Sequence, residues 1–376
     1  MVKEATELEK MNKGLAEEIS LDGFDYIEFF VGNALQACYY YHRGFGFDVV
    51  GYKGLETGDR DAVSYVLKQD HVNIVLTSPL RADSAINEHL AKHGDGVKAV
   101  AMRTRDCKKA YDTAIARGAV SVYAPKTVED ENGVYKSAAI KTYGDTIHIF
   151  TERGDYKGLA PGFRAVTGKS GLGVGLAAVD HIVGNVEIDH LAKWVDFYKQ
   201  IFGFHVYQYF DPEDISTKYS ALVSKVMANK SGSVKLPINE PYEMGLRKSQ
   251  ISEYLDFYSA AGVQHIAIST RDIIATVKEM KARGVEFLPT PASYYVTLSE
   301  RVGKIDEDMA ALQALGILVD KDDDGYLLQI FTKPVQDRPT LFFEVIQRKG
   351  CKGFGKGNFQ ALFESIEREQ ENRGNL

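Results

Sequence analysis

Three residues in this chain carry side chains that together could hold a metal ion: His181 in "VDHIVGNV", His265 in "AGVQHIA" and Glu344 in "TLFFEVIQ". Two imidazoles and one carboxylate cap a single face of an octahedral divalent ion and leave three adjacent positions open. That is the facial triad of non-haem Fe(II) oxygenases. Each motif reads as an apolar strand. A carboxylate in such a strand is expensive to bury without a partner, so Glu344 in particular asks for one.

The elements that must position these residues come from an internal repeat. Residues 24–52 ("FDYIEFFVGNALQACYYYHRGFGFDVVGY") match residues 179–209, in which Leu191, Trp194, Val195, Tyr198 and Ile201 recur at helical spacing. "GVKAVAMRT" (96–104) matches "GVQHIAIST" (262–270), and each continues through Arg-Asp and a helical run to Ala-Arg-Gly. "DTIHIFTERG" (145–154) matches "PTLFFEVIQRKG" (339–350). The copies lie 155 residues apart at Asp25 and Asp180, 166 at Ala99 and His265, and 194 at Phe150 and Glu344. The second copy therefore gains 11 residues before its histidine strand and 28 after it. At the three aligned positions the first copy has Tyr26, Ala99 and Phe150, which could not jointly bind a metal. One copy supplies chemistry and the other scaffold. The expected organisation is a metal-free structural half over 1–155, a glycine-rich linker over 156–178, and a catalytic half over 179–376.

Composition bounds the reading. With 376 residues, 44% hydrophobic and 26% charged, the chain has the composition of a globular protein of about two domains. A net charge of −7 without a dense basic block argues against nucleic acid or an anionic membrane as partner. No apolar run is long enough to span a bilayer. The acidic start lacks a signal-peptide core, and three scattered cysteines give no disulfide framework; a cytoplasmic location is expected. Three local motifs are set aside. "HLAKH" (89–93) has a metal-like spacing but reads as a solvated helix end running into Gly94. "GFRAVTGKS" (162–170) has the wrong glycine spacing for a phosphate loop, and "GLGVG" (171–175) lacks the preceding strand of a dinucleotide site.

Strand alternation predicts what faces the metal. Gln329 and Phe331 share a face in "YLLQIFTK", as do Phe342 and Glu344 in "LFFEVIQ". An amide and two aromatic rings suit a flat aromatic substrate with polar ends. A long polar loop carrying Asn239 and Gln250 is expected beside the metal strand, covering and orienting the substrate. The C-terminal stretch "GFGKGNFQALFESIEREQENRG" starts with glycines and becomes an amphipathic helix with Phe359, Leu362, Phe363 and Ile366 on one face, as a lid would.

These segments, with "PINEP", "KSQI" and "GFGKGNFQALFESIEREQ", resemble the 4-hydroxyphenylpyruvate dioxygenase family of the vicinal-oxygen-chelate group. The likeness runs over nearly the whole chain and is densest from Asp180 onward. It implies an α+β fold: tandem βαβββ modules forming two open, mostly antiparallel barrel-like domains, with a C-terminal lid helix. It implies one Fe(II) per chain at His181, His265 and Glu344. It further implies substrate contacts at Ser224, Asn239, Gln250, Gln264 and Gln329, with Phe331, Phe342, Phe354 and Phe359 as aromatic walls. Gln250 and Gln329 would be the catalytic amides. Simple alternation points Gln264 away from the site, where it would act through its neighbour. The implied reaction converts 4-hydroxyphenylpyruvate and O₂ to homogentisate and CO₂ in tyrosine and phenylalanine catabolism. The substrate would bring its own 2-oxo acid, so no 2-oxoglutarate is needed. The implied assembly is a homodimer or homotetramer, for which "CYYYH" (38–42) offers a surface. A 4-hydroxymandelate synthase, an extradiol ring-cleaving dioxygenase and a metal-free ligand-binding protein remain as alternatives.

Overall fold

The computed structural model describes residues 2–212, 221–242 and 248–375. The first sheet is built from β1 (Phe24–Phe30), β2 (Asp48–Lys53), β3 (Ala62–Gln69), β4 (Val72–Pro79), β5 (Gly96–Arg103), β6 (Ser121–Asp130), β7 (Gly133–Lys141), β8 (Ile147–Glu152) and β9 (Arg164–Ala165). The second comprises β10 (Leu176–Asn185), β11 (His205–Phe210), β12 (Ala221–Ala228), β13 (Lys235–Tyr242), β14 (Gly262–Thr270), β15 (Leu318–Lys321), β16 (Tyr326–Phe331) and β17 (Phe342–Lys349). Strand order is 6-7-8-5-1-4-3-2-9 in one sheet and 11-12-13-10-14-17-16-15 in the other. Each sheet joins two βαβββ units. Within a unit the first and last strands pair in parallel, and all other pairings are antiparallel. The α+β fold of tandem modules is thus the one expected. The strand β9 falls inside the 156–178 segment and pairs with β2, while β10 already starts at Leu176.

Burial follows the two-residue period of the strands. Ile27 and Phe29 of β1, and Ile266 and Ile268 of β14, point to a core shared by both sheets. Phe343 of β17 packs its ring 5.0 Å from Phe45 and 6.4 Å from Phe29 of the other half. The opposite faces of the strands line the concave sides of the two open barrels. In the first barrel that face is apolar at Ala99, Ala101, Ala139 and Ile149, with Tyr26 and Tyr123 against them.

Register settles which residues of the two halves correspond. Ala101 pairs with Ile149, as Ala267 pairs with Glu344. The counterpart of Glu344 is therefore Ile149, 195 residues earlier, and not Phe150. A one-residue slip turns a side chain to the other face of a sheet, and Phe150 indeed faces the core, 5.9 Å from Phe202. The second half's insertion after β14 holds three short helices, Ser293–Val296, Leu298–Val302 and Met309–Leu315.

Three further expectations meet the structure. "HLAKH" does end a helix, Ala85–His93, with Gly94 at φ 72°. It is not solvated: His93 is fully buried, stacked on Tyr258 at 4.3 Å, with Nε2 2.8 Å from the Asp145 carboxylate. The neighbouring half covers it, because Arg338 caps the carbonyls of Ala91 and Lys92. In "GLGVG" the backbone N–H groups of Val174 and Gly175 donate to Gln69 Oε1 at 2.8 and 3.1 Å, so a side chain of this chain fills the glycine cradle. All three cysteines are buried and free.

Candidate metal centre

His181 lies on β10, His265 on β14 and Glu344 on β17, three strands that are adjacent in the second sheet. The ligand atoms of all three fall within 4.8 Å of one another, and no other such group occurs among the described residues. Nε2 of His181 is 3.2 Å and Nε2 of His265 3.4 Å from Glu344 Oε2. Each side chain is buried. Burial alone would raise the Glu344 carboxyl, but the charge and hydrogen bonds of the two histidines hold it down at about 2. Burial likewise disfavours the charged form of His181, yet Glu344 and Asp180 raise it above the ordinary imidazole value. His265 is lowered, burial prevailing over its contact with Glu344.

The other ring nitrogens are occupied. His181 Nδ1 donates to Asp180 Oδ1 at 2.8 Å, and His265 Nδ1 faces Gln264 Oε1 at 3.0 Å. A carboxylate or amide oxygen can only accept, so both histidines carry a proton on Nδ1, which leaves Nε2, the nitrogen facing Glu344, as the atom that would bind a metal. Asp180 is itself held by Arg348 through two 2.8 Å hydrogen bonds. The donor set, its convergence and its fixed tautomers fit a divalent metal of the non-haem iron type.

Around these donors lies a cavity. Its walls include Ser224, Asn239, Gln250, Gln264 and Gln329, together with Phe331, Phe342, Phe354 and Phe359. The three candidate ligands and all nine implied substrate contacts are therefore brought to one place. Ser224 and Asn239 stand opposite each other on β12 and β13, and Asn239 Nδ2 reaches Asn185 Oδ1 at 3.4 Å. Gln329 is buried, and its Oε1 has no hydrogen-bond partner in the protein. Phe342 stacks on the His265 ring at 4.8 Å, and Phe354 meets the His181 ring edge-on at 4.9 Å.

Two expectations need correction. Asn239 and Gln250 are not on a long loop: Asn239 is in mid-strand, and Gln250 opens the helix Gln250–Tyr258 capped by Ser249. Prolines at 237 and 241 argue against a strand, but β13 pairs with β10 only at Ile238 and Asn239, between the two prolines. The rest of the supposed loop, 243–247, lies outside the described residues. Gln264 does not point away from the cavity either. Gly184 pairs with Val263 while Val183 pairs with His265, so Gln264 is the extra residue of a bulge that breaks the alternation.

Sequence reasoning missed Phe210, Leu222, Val226 and Pro237, which complete the apolar wall. Phe210 has a signal only in strand β11's own alternation, and nothing local ties it to the triad. The terminal helix Phe359–Asn372 closes the cavity with Phe359, Leu362 and Phe363.

Residues 16–159 match the family described as "Hydroxyphenylpyruvate dioxygenase, HPPD, N-terminal". Residues 178–330 match the "Glyoxalase/Bleomycin resistance protein/Dioxygenase superfamily". The chain is 47% identical to 4-hydroxyphenylpyruvate dioxygenase of Dictyostelium discoideum, over 95% of this chain and all of that one. It is 48% identical to the protein of the same name from Xenopus tropicalis, covering 94% and 92%. Among solved structures, a triply substituted 4-hydroxymandelate synthase from Streptomyces coelicolor superposes with a TM-score of 0.84 at 30% identity, covering 94% of this chain and all of that one.

Proposed function

Because the chain belongs to the 4-hydroxyphenylpyruvate dioxygenase family, we propose that it holds one Fe(II) at His181, His265 and Glu344 and converts 4-hydroxyphenylpyruvate and O₂ to homogentisate and CO₂. The observation that supports this best is the convergence of two tautomer-fixed Nε2 atoms on one buried carboxylate. Fe(II), when bound, supplies the redox chemistry that turns O₂ on a substrate carrying its own 2-oxo acid.

The remaining work belongs to the chain. The two Nε2 atoms and Glu344 would hold the ion beside the cavity, where it would supply its chemistry to a bound substrate. Ser224, Asn239, Gln250 and Gln329 offer hydroxyl and amide groups to the polar ends of the substrate. The Oε1 of Gln329, buried without a partner, is suited to accept from the phenol, and Gln250 acts with it. Phe331, Phe342, Phe354 and Phe359 sandwich the ring and exclude water from the reacting centre. The halves divide as 1–155 for scaffold, 156–178 for linkage and 179–376 for catalysis. The reading places the protein in the cytoplasm, where it acts as a homo-oligomer; of the three tyrosines in "CYYYH", Tyr39 is the exposed one, beside exposed Leu35 on the same helix.

The test is anaerobic loading with Fe(II), addition of 4-hydroxyphenylpyruvate and O₂, and identification of the product by NMR, with Glu344→Ala as control. Homogentisate that disappears in the control is expected. 4-Hydroxymandelate would keep the site and overturn the product. Absence of O₂ uptake at full iron loading would overturn the substrate.

A further inference from the structure

Each of the two histidines of the metal centre follows a bulge residue. Val179 pairs with Ile268 and His181 with Ala267, which leaves Asp180 as the extra residue on β10. Gln264 is the extra residue on β14. A bulge turns two consecutive side chains toward one side of a sheet. In both cases the extra side chain receives the Nδ1 proton of the histidine that follows it.

The first half has the same two bulges without the histidines. Phe24 pairs with Met102 and Tyr26 with Ala101, which isolates Asp25; Glu28 pairs with Ala99 and Phe29 with Val97, which isolates Lys98. Asp25 is bound by Arg153, at 2.8 Å from Nε and 2.7 Å from Nη2. Arg153 and Arg348 are 195 residues apart, as are Ile149 and Glu344, so Asp25·Arg153 is the counterpart of Asp180·Arg348. The carboxylate–guanidinium pair is thus part of the scaffold and is present with or without an imidazole beside it. The second bulge differs. Next to Ala99 it holds Lys98, whose Nζ donates to the Asp145 carbonyl at 2.6 Å. Next to His265 it holds an amide that can accept.

We infer that Asp180 and Gln264 are the paired positioning residues of the metal centre, and that they make it asymmetric: an anion clamped by Arg348 strengthens His181 as a donor, whereas a neutral amide leaves His265 the weaker one. This rests on the metal reading above. It also gives Gln264 its role through His265 and not through direct substrate contact. Outer partners of ligating histidines fix ring orientation and raise basicity, and losing one lowers metal affinity by about 10–100-fold.

The test uses the full chain loaded with Zn(II), ¹⁵N-labelled at histidine, and anaerobic Fe(II) titration of the same variants. In the unaltered protein both Nδ1 protons should be protected from exchange, with that of His181 further downfield. Gln264→Leu should remove protection at His265 alone and weaken Fe(II) binding by about 10–100-fold. Gln264→Glu should restore protection and affinity, and move the His265 proton downfield toward that of His181. Asp180→Asn, which keeps an oxygen acceptor, should shift the His181 proton upfield while retaining the fold. If Gln264→Leu leaves the His265 signal and the affinity within twofold and raises only the KM for the 2-oxo acid, Gln264 is a substrate contact and the inference fails. If the unaltered protein shows no shift of His181 or His265 on Zn(II) addition, the metal reading itself fails, which is a different outcome.

Discussion

Glu344 sits between opposing influences, burial pushing its carboxyl up and two imidazoles pulling it down to about 2. In the ion-free protein its folded value is therefore below the unfolded one. The sign follows: this carboxylate adds stability above about pH 4.5, and that contribution is lost as pH falls toward 2. Urea unfolding of metal-free protein across this range should show a steeper acid loss for the unaltered chain than for Glu344→Gln. The same substitution should abolish stoichiometric Fe(II) binding, read by anaerobic titration. Gln329→Ala removes a buried acceptor that no protein group satisfies; turnover should drop about 10–100-fold with iron content unchanged, and unaltered turnover would take Gln329 out of the site. At this scale the sequence was readable where residue type was decisive, as in a carboxylate within "TLFFEVIQ". It was unreadable where a single-residue offset mattered. Neither the pairing of Glu344 with Ile149 nor the inward turn of Gln264 can be seen without strand register, because a bulge has no signature in the period of the sequence.

Among the elements, the terminal helix decides access. It is tied down at its far end by Arg373, whose Nη2 is 2.7 Å from Glu253, and by Asn375 on the same carboxylate. Glu253 is buried on the helix Gln250–Tyr258, so the tie joins the lid to the element that carries Gln250. Arg373→Ala leaves that carboxylate without its part-buried cation and with only the Asn375 hydrogen bond. The expected result is faster proteolytic cleavage within 359–372 and a lower kcat/KM at unchanged Fe(II) affinity; equal cleavage rates would show that the tie does not hold the lid. The near end depends on Gly355. It has φ 78°, and a Cβ there would overlap Gln329 Oε1, so backbone and substrate-facing amide are packed against each other. The amphipathic period of this helix was plain in the sequence, and so was its place over a pocket. The opposite held for β13 and the following helix. There, two prolines and a string of polar residues concealed a strand and a cap, since the pairing that excuses the prolines is made by a distant segment.

In the whole molecule, one apolar core runs through both halves, from Ile27 and Phe45 to Ile266 and Phe343. Calorimetry should accordingly show a single cooperative transition. Phe343→Ala, at the contact between the halves, should lower stability by about 3–5 kcal/mol; two separate transitions would contradict the shared core. The duplication itself was legible because its copies kept strand, helix and turn in order. What the sequence concealed was that the Asp–Arg pair belongs to both halves. The first barrel is thus an unused mould. It keeps the strands, both bulges and the Asp25·Arg153 clamp, and lacks only the four side chains at Tyr26, Lys98, Ala99 and Ile149. Writing His, Gln, His and Glu at those places would ask a protein engineer's question of it: whether the same backbone, given the same letters, would take up a second ion in a room that now holds tyrosine and alanine.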